Sequence, residues 1–387
     1  MDLQHGALLA ALGMGVFVAV VFPLNLLTIR RLSARSHPVL GAAPRVSVII
    51  PARNEEREIS EAVRSHLSQD YPNFEVIVVD DQSTDGTREI LDGLRRGDSR
   101  LRIARGKEPP EGWLGKPHAL YLGAREATGE ILLFVDADVR YDPRTLREAV
   151  GFLERRRIDF LALFPGFKME GFWERVLMPY IAVSYFFGLG FLANSDRHRW
   201  VAAGGGAGNM VRRRAYEAAG GHAAIRTSVI DDVRLAMSVK RAGFRCRIVE
   251  ADDRVRVRMY RGFGEIFDGF TKNIAYIFQG LFGHLLIAFM TLFVFASLAP
   301  VATLLEAIIG FRVPRADLLL AGGIFAFGIL MRAILALYLR YPLWTALTQP
   351  LMAAVWGAIM LRSLYWRFVR REVLWRGRRY DAAGARF

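Results

Sequence analysis

The chain has 387 residues, 52% of them hydrophobic, a formal net charge of +14 and one cysteine, Cys246. A lone cysteine excludes an intrachain disulfide framework, reads as a small buried hydrophobe and fits a reducing compartment. The charge comes largely from arginines, several of which flank apolar spans, as retention against anionic lipid requires. No zinc-finger, basic-zipper or aromatic RNA-binding pattern accompanies them, which argues against nucleic-acid binding.

Residues 7–27 are apolar or small apart from Asn25 and are long enough to cross the hydrocarbon layer. Arg30, Arg31 and Arg35 follow this stretch, whereas no lysine or arginine precedes it. The bias predicts an uncleaved anchor, residues 1–30, with its C-terminal end in the cytoplasm. From residue 44 short apolar runs alternate with helical periodicity, an α/β rhythm. Strands are predicted over 45–50, 74–79, 101–104 and 131–135. Helices are predicted between the first two strands, where Ile59, Val63 and Leu67 share a face, and over 87–95 and 117–127. Strands apolar on both faces imply a mostly parallel sheet covered by helices. The aromatic stretch 171–192, interrupted by Glu174, Arg175 and Pro179, reads as a surface-lying helix pair.

Beyond a soluble domain at 44–260, residues 261–279 read as an interfacial helix. The region 280–366 holds three apolar segments, 280–304, 318–339 and 343–365, and 367–387 is a basic tail. If all three segments crossed, the tail would lie outside, against the positive-inside tendency. Either one of them is re-entrant or interfacial, or the tail is an exception; parity does not decide.

Ligands of parallel α/β sheets bind beyond the carboxyl ends of the strands. There the sequence places Pro51-Ala-Arg-Asn-Glu-Glu56, Asp80-Asp-Gln-Ser-Thr-Asp-Gly-Thr87 and Asp136-Ala-Asp138. Two carboxylates separated by one residue suit Mg²⁺ or Mn²⁺, whose shells phosphate oxygens and water complete. No Gly-x-Gly-x-x-Gly follows the first strand, which argues against a dinucleotide-dependent dehydrogenase.

These motifs, in this order, resemble those of glycosyltransferase family 2. The resemblance runs from about residue 44 to 250 and implies a GT-A fold, a nucleotide-sugar donor and Mg²⁺ or Mn²⁺. It implies that Pro51, Arg53, Glu55 and Asp81 surround the nucleotide and that Asp138, helped by Asp136, holds the metal. Gly208-Asn-Met-Val-Arg-Arg-Arg-Ala-Tyr-Glu-Ala-Ala-Gly-Gly221 is similar to the acceptor-side loop, which brings in Gly208 and Asn209. In Ile230-Asp-Asp-Val-Arg-Leu235, Asp232 matches the catalytic aspartate and Asp231 replaces a glutamate. Gly112-Trp-Leu-Gly-Lys-Pro-His-Ala-Leu120, Val257-Arg-Met-Tyr260, Gly269-Phe-Thr-Lys272 and Trp375-Arg-Gly-Arg-Arg-Tyr380 resemble the membrane-bound branch that glycosylates carotenoids. Lys116 would then face the diphosphate, and His118 either contacts a ligand or is packed. The Gln-x-x-Arg-Trp motif of processive members is missing; Arg258 or Lys272 would substitute as phosphate-binding cations.

The expectation is a single inverting transfer, of glucose from UDP-glucose, to a hydroxyl or carboxyl of a membrane lipid. A carotenoid-type acceptor leads; polyprenyl phosphate, ceramide, diacylglycerol and hopanoid remain open. The rivals are a processive polysaccharide synthase and a non-catalytic nucleotide-binding scaffold.

Overall fold

The computed structural model describes residues 3–33, 43–277, 280–370, 372–375 and 378–381. The tail expected at 367–387 therefore lies partly outside the described residues. Among the described residues the strands are β1 (Arg30–Arg31), β2 (Val46–Ala52), β3 (Phe74–Asp80), β4 (Leu101–Arg105), β5 (Ile131–Phe134), β6 (Val139–Tyr141), β7 (Phe160–Phe164), β8 (Gly166–Phe167), β9 (Asn209–Arg212), β10 (Cys246–Glu250), β11 (Val255–Val257) and a C-terminal pair, β12 (Glu372–Trp375) and β13 (Arg378–Asp381). The main sheet runs β1-β10-β7-β9-β5-β2-β3-β4, and a small sheet runs β6-β11-β8. All neighbours in the main sheet are parallel except β9, which is antiparallel to β5 and β7.

The predicted α/β class and parallel sheet follow from the buried runs. Side chains alternate between faces along each strand. Val46, Val48 and Ile50 of β2, Val76 and Val78 of β3, and Ile131 and Leu133 of β5 share one apolar core. Ile49, Ile77, Val79, Leu132 and Phe134 point into a second core. That second core is continuous with Val18 and Phe22 of the N-terminal helix and with Phe293 and Trp356 of the C-terminal helices. One face of the sheet is thus packed through to the apolar helices.

Away from the carboxyl ends of the strands a buried polar clasp sets the register. Glu75 accepts hydrogen bonds from Ser47 Oγ (2.7 Å) on β2, from Thr128 N (2.8 Å) and Oγ1 (2.7 Å) before β5, and from Arg102 (3.2 Å) on β4. Burial pushes this carboxyl up, but the hydrogen bonds from Thr128, Ser47 and Arg102 outweigh it and bring it down to about 2.

Among the described residues three helices are long and apolar enough to cross a membrane: Leu3–Thr28, Gly283–Ile308 and Arg315–Tyr338. Gln4 donates to Glu306 (2.6 Å) and His5 meets Asp317 (2.6 Å), so the start of the first helix sits beside the turn between the other two. At the opposite end, Arg31 reaches Glu250 (2.5 Å) and Arg340 reaches Asp253 (2.5 Å). The α/β domain therefore caps one end of the three-helix group.

The third C-terminal segment meets one of the alternatives left open for it, and two expectations need correction. That segment is a 3₁₀ turn, Leu343–Ala346, followed by a helix of 17 residues, Gln349–Tyr365. Trp356 of that helix stacks on Tyr180 at 4.1 Å and donates to the Leu177 carbonyl (3.2 Å), which ties it to the domain. The stretch 171–192 is interior, because Val176, Leu177, Tyr180, Val183 and Phe186 are buried between the sheet and the apolar helices. Its interrupting charge, Glu174, is buried and paired with Arg258 (2.9 Å), which removes the cost that suggested a surface position. The sheet, finally, begins before residue 44: Arg30 and Arg31 pair with Val249 and Glu250 as its edge strand.

Candidate active site

Each strand of the parallel set ends in a loop whose backbone is held by its neighbours. After β2 the chain turns at Asn54, which has a left-handed φ of 54°. Asn54 Oδ1 accepts from Thr84 N (2.8 Å), and Glu55 N donates to Thr87 Oγ1 (2.8 Å), so the loops after β2 and β3 form one unit. Arg53 donates to the Asp81 carbonyl (2.7 Å). Pro51, Arg53, Glu55 and Asp81 line one end of a cleft of about 570 Å³.

The centre of the cleft is acidic. Asp136 and Asp138 follow β5, and Asp231 and Asp232 form the first turn of helix Asp231–Arg241, where the helix N-terminus favours negative charge. Lys116, at the start of helix Gly115–Glu126, spans the two pairs, 2.7 Å from Asp136 and 3.4 Å from Asp231. Burial lowers the affinity of Lys116 for its proton, but Asp136, Asp231 and Asp232 outweigh that and hold it protonated. Asp231 is buried, whereas Asp232 is part-exposed and its Oδ1 accepts from Val233 N (2.8 Å).

The loop carrying Gly204, Gly205 and Gly206 threads between these pairs. A Cβ on Gly206 would lie 2.0 Å from Asp136 Oδ2, and one on Gly204 would lie 2.2 Å from the Asp232 carbonyl. Asn209 fastens the loop, accepting from Gly205 N (3.1 Å) and donating to the Asp232 carbonyl (3.2 Å). Sequence reasoning weighed this glycine run only as a dinucleotide-binding signature and gave it no role here; its signal was three adjacent residues without side chains before an expected acceptor loop.

The acids also bear on a metal. The Asp138 carboxyl is raised well above the carboxylate range by burial, by Asp136 and by Glu55. Asp231 is raised by burial and by Asp232 and Asp136 against the opposing Lys116, and Asp232 by burial and Asp136. Carboxylates crowded in this way, Asp231 buried and Asp136, Asp138 and Asp232 part-exposed, fit a cation arriving with phosphates. Asp136 and Asp138, two carboxylates one residue apart, suit a Mg²⁺ or Mn²⁺ ion that completes its shell with ligand oxygens and water.

The remaining expected residues divide. Lys272 lines the cleft, beside Tyr260 and Asn273, which the sequence reading had not assigned. Gly208 and Asn209 lie behind the lining, Gly208 so close to Tyr141 that a Cβ would stand 2.1 Å from its hydroxyl. Arg258 lies outside the lining, bound to Glu174 and Glu170. His118 is buried against Trp113, with ring centres 5.5 Å apart.

Comparison with known proteins bears on the family and the fold. Residues 47–220 match the family model described as glycosyl transferase family 2. The 4,4'-diaponeurosporenoate glycosyltransferase of Staphylococcus haemolyticus is 28% identical over 239 residues, covering 59% of this chain and 61% of that protein. The beta-monoglucosyldiacylglycerol synthase of Nostoc sp. is 29% identical over 192 residues, 47% of this chain and 39% of that protein. The match thus spans less than two thirds of either relative. The mannosyltransferase PcManGT from Pyrobaculum calidifontis, solved with GDP-Man and Mn²⁺, has a TM-score of 0.61 at 22% identity and covers 94% of this chain and 99% of that one. The fold is GT-A-like.

Proposed function

Because residues 47–220 are a glycosyl transferase family 2 domain, in a chain that resembles carotenoid glycosyltransferases, we propose that the chain transfers one sugar from a nucleotide-sugar to a membrane lipid by inverting, metal-dependent displacement. The observation that carries this reading is the single cleft that joins the strand-end acids to residues of an apolar helix, Leu285, Leu286 and Phe289.

In this reading Arg53, Glu55 and Asp81 hold the nucleotide, and Asp138 and Asp136 are the residues that would hold Mg²⁺ or Mn²⁺. The bound cation would neutralise charge on the departing diphosphate. Lys116 orients Asp136 and Asp231 and lends positive charge to the same region. Asp232, part-exposed at a helix start, takes the acceptor's proton as its oxygen attacks the anomeric carbon. A base of raised proton affinity suits that task near neutral pH.

Glucose is the favoured sugar, supplied as UDP-glucose, and the favoured acceptor is of carotenoid type. Both rest on the relatives named above, one acting on diaponeurosporenoate and one a glucosyldiacylglycerol synthase by name. The helices bring the domain to a membrane surface, with the cytoplasmic side of a bacterial membrane favoured by the arginines after the first span.

The test is transfer of labelled sugar from UDP-glucose into extractable lipid by detergent-purified protein, with Mn²⁺ or with chelator. Label in lipid that depends on metal is expected. Tight nucleotide binding with no transfer to any lipid would overturn the reading in favour of a scaffold, and label in long polymer would favour a processive synthase.

A further inference from the structure

A second cavity, of about 390 Å³, shares no lining residue with the acidic cleft. It is a groove between helix Thr87–Gly97 and the edge strand β4, walled by Arg88, Asp92, Arg95 and Arg96 of the helix and by Ile103 and Arg105 of the strand. The sequence spacing builds this wall. Positions 88, 92, 95 and 96 fall on one face of the helix, and alternation puts 103 and 105 on one side of β4. Ile90, Leu91, Leu94 and Ile103 join the core on the sheet face that does not lead to the apolar helices.

Four guanidinium groups line the groove against one carboxylate. Asp92 serves two of them at long range, 3.7 Å from Arg88 and 4.0 Å from Arg95. Arg88 also reaches Asp80, at 3.4 Å. Among the described residues Arg96 and Arg105, both exposed, form no ion pair. Like charges gathered in one concave place repel each other, and the field they sum to is balanced by a mobile anion. Guanidinium forks take phosphate oxygens in paired hydrogen bonds, which makes phosphate the best-matched anion. From Arg88 to Arg96 the helix rises about 12 Å. That is too far for one phosphate to serve, and it suits a chain of two or three.

The groove also faces away from the membrane helices. Strand β1 follows the first apolar helix, and β4 is the opposite edge of the main sheet. Seven strand spacings, roughly 30 Å, separate the two edges. A dissolved anion reaches such a place, whereas a lipid headgroup does not.

We propose that this groove binds a soluble linear polyphosphate, inorganic or carried as the triphosphate tail of a nucleotide, at a site separate from the acidic cleft. The inference stands independently of the transferase reading.

The experiment is calorimetric titration of the full-length protein in detergent, at fixed ionic strength and with chelator, using inorganic tripolyphosphate, ATP and inorganic phosphate. Chelator withholds the cation through which the acidic cleft would take phosphates. The groove variants are Arg95→Ala with Arg96→Ala, and Arg105→Ala. Arg88 is kept, because it holds Asp80 next to the cleft residue Asp81. A control pair, Arg155→Ala with Arg156→Ala, removes the same charge from the exposed end of another helix, and Lys116→Met reports on the cleft.

The expected result is one saturable tripolyphosphate site, with phosphate binding more weakly. Tripolyphosphate affinity should fall about tenfold or more in each groove variant, as the loss of charge-assisted contacts predicts, and should be kept in the control pair and in Lys116→Met. Titration with UDP and Mn²⁺ should give wild-type affinity in the groove variants, which shows them folded. ATP binding more tightly than tripolyphosphate supports a nucleotide as the ligand, and equal affinity supports the inorganic chain. Equal losses in the groove variants and the control pair overturn the site in favour of a general basic field. Loss in Lys116→Met with none in the groove variants places the phosphates in the acidic cleft and overturns it too, as does the lack of any saturable binding.

Discussion

Lys116 stands between two carboxylates that the proposed reaction uses differently, Asp136 toward the metal and Asp231 beside the base. Replacing it with methionine keeps the stem and removes the charge, leaving three carboxylates without their shared cation. Lys116→Met is expected to weaken nucleoside-diphosphate binding about tenfold or more, as the loss of one close charge-assisted contact would; isothermal titration with UDP and Mn²⁺ measures it, and unchanged affinity would detach Lys116 from the diphosphate. Gly206→Ala acts on the same group sterically. Its Cβ would need the space of Asp136 Oδ2, so Mn²⁺-dependent nucleotide binding should fall while the melting profile stays close to wild type. At Glu75 the outcome concerns stability. Its proton affinity is depressed from the ordinary 4.5 to about 2, so its contribution is complete above pH 4.5 and is lost as pH falls toward 2. Melting curves in detergent should show wild type losing Tm across that window and Glu75→Gln, already less stable at neutral pH, losing less.

At the scale of elements, the parallel core was legible because each of its strands is a continuous apolar run ending in polar residues. The predicted strands 45–50, 74–79, 101–104 and 131–135 correspond to β2, β3, β4 and β5 within one or two residues. The strands that were not foreseen have physical reasons. β9 is four residues long, follows a glycine run and carries Arg212, and its antiparallel insertion between β5 and β7 is a long-range pairing with no local signal. Glu174 misled for a similar reason: a charge in an aromatic run reads as a surface marker unless its partner, Arg258, 84 residues away, is known. That partnership yields a prediction. Arg258→Ala leaves Glu174 buried without its counter-charge and should cost about 3–5 kcal/mol of stability; the double variant Arg258→Ala with Glu174→Gln should recover part of it, and equal melting of wild type and Arg258→Ala would contradict the pairing.

On the scale of the whole molecule, the two ends of the chain are organised around the same domain. The first helix leads into β1, and helix Arg315–Tyr338 returns to Arg340, which pairs with Asp253. If the first helix and two C-terminal helices cross, the segment that follows residue 338 comes back to the side of the α/β domain. Topology predicts that a cysteine at Arg312 and one at Arg96, both exposed, react with an impermeant maleimide from opposite sides of the membrane. The natural Cys246 is buried and should stay silent. Labelling of both from one side would contradict the three-span arrangement.

In the proposed reaction one acidic cleft performs sugar transfer with Asp232 as its base. Acceptor-dependent release of nucleoside diphosphate from UDP-glucose tests it most directly, comparing wild type with Asp232→Asn at matched nucleotide occupancy. The expected result is release that requires lipid and falls about 10²–10⁴-fold in the variant, the usual contribution of a positioned base, while UDP affinity is kept. Release at the wild-type rate in Asp232→Asn would contradict the account, because the proton would then be taken by another group.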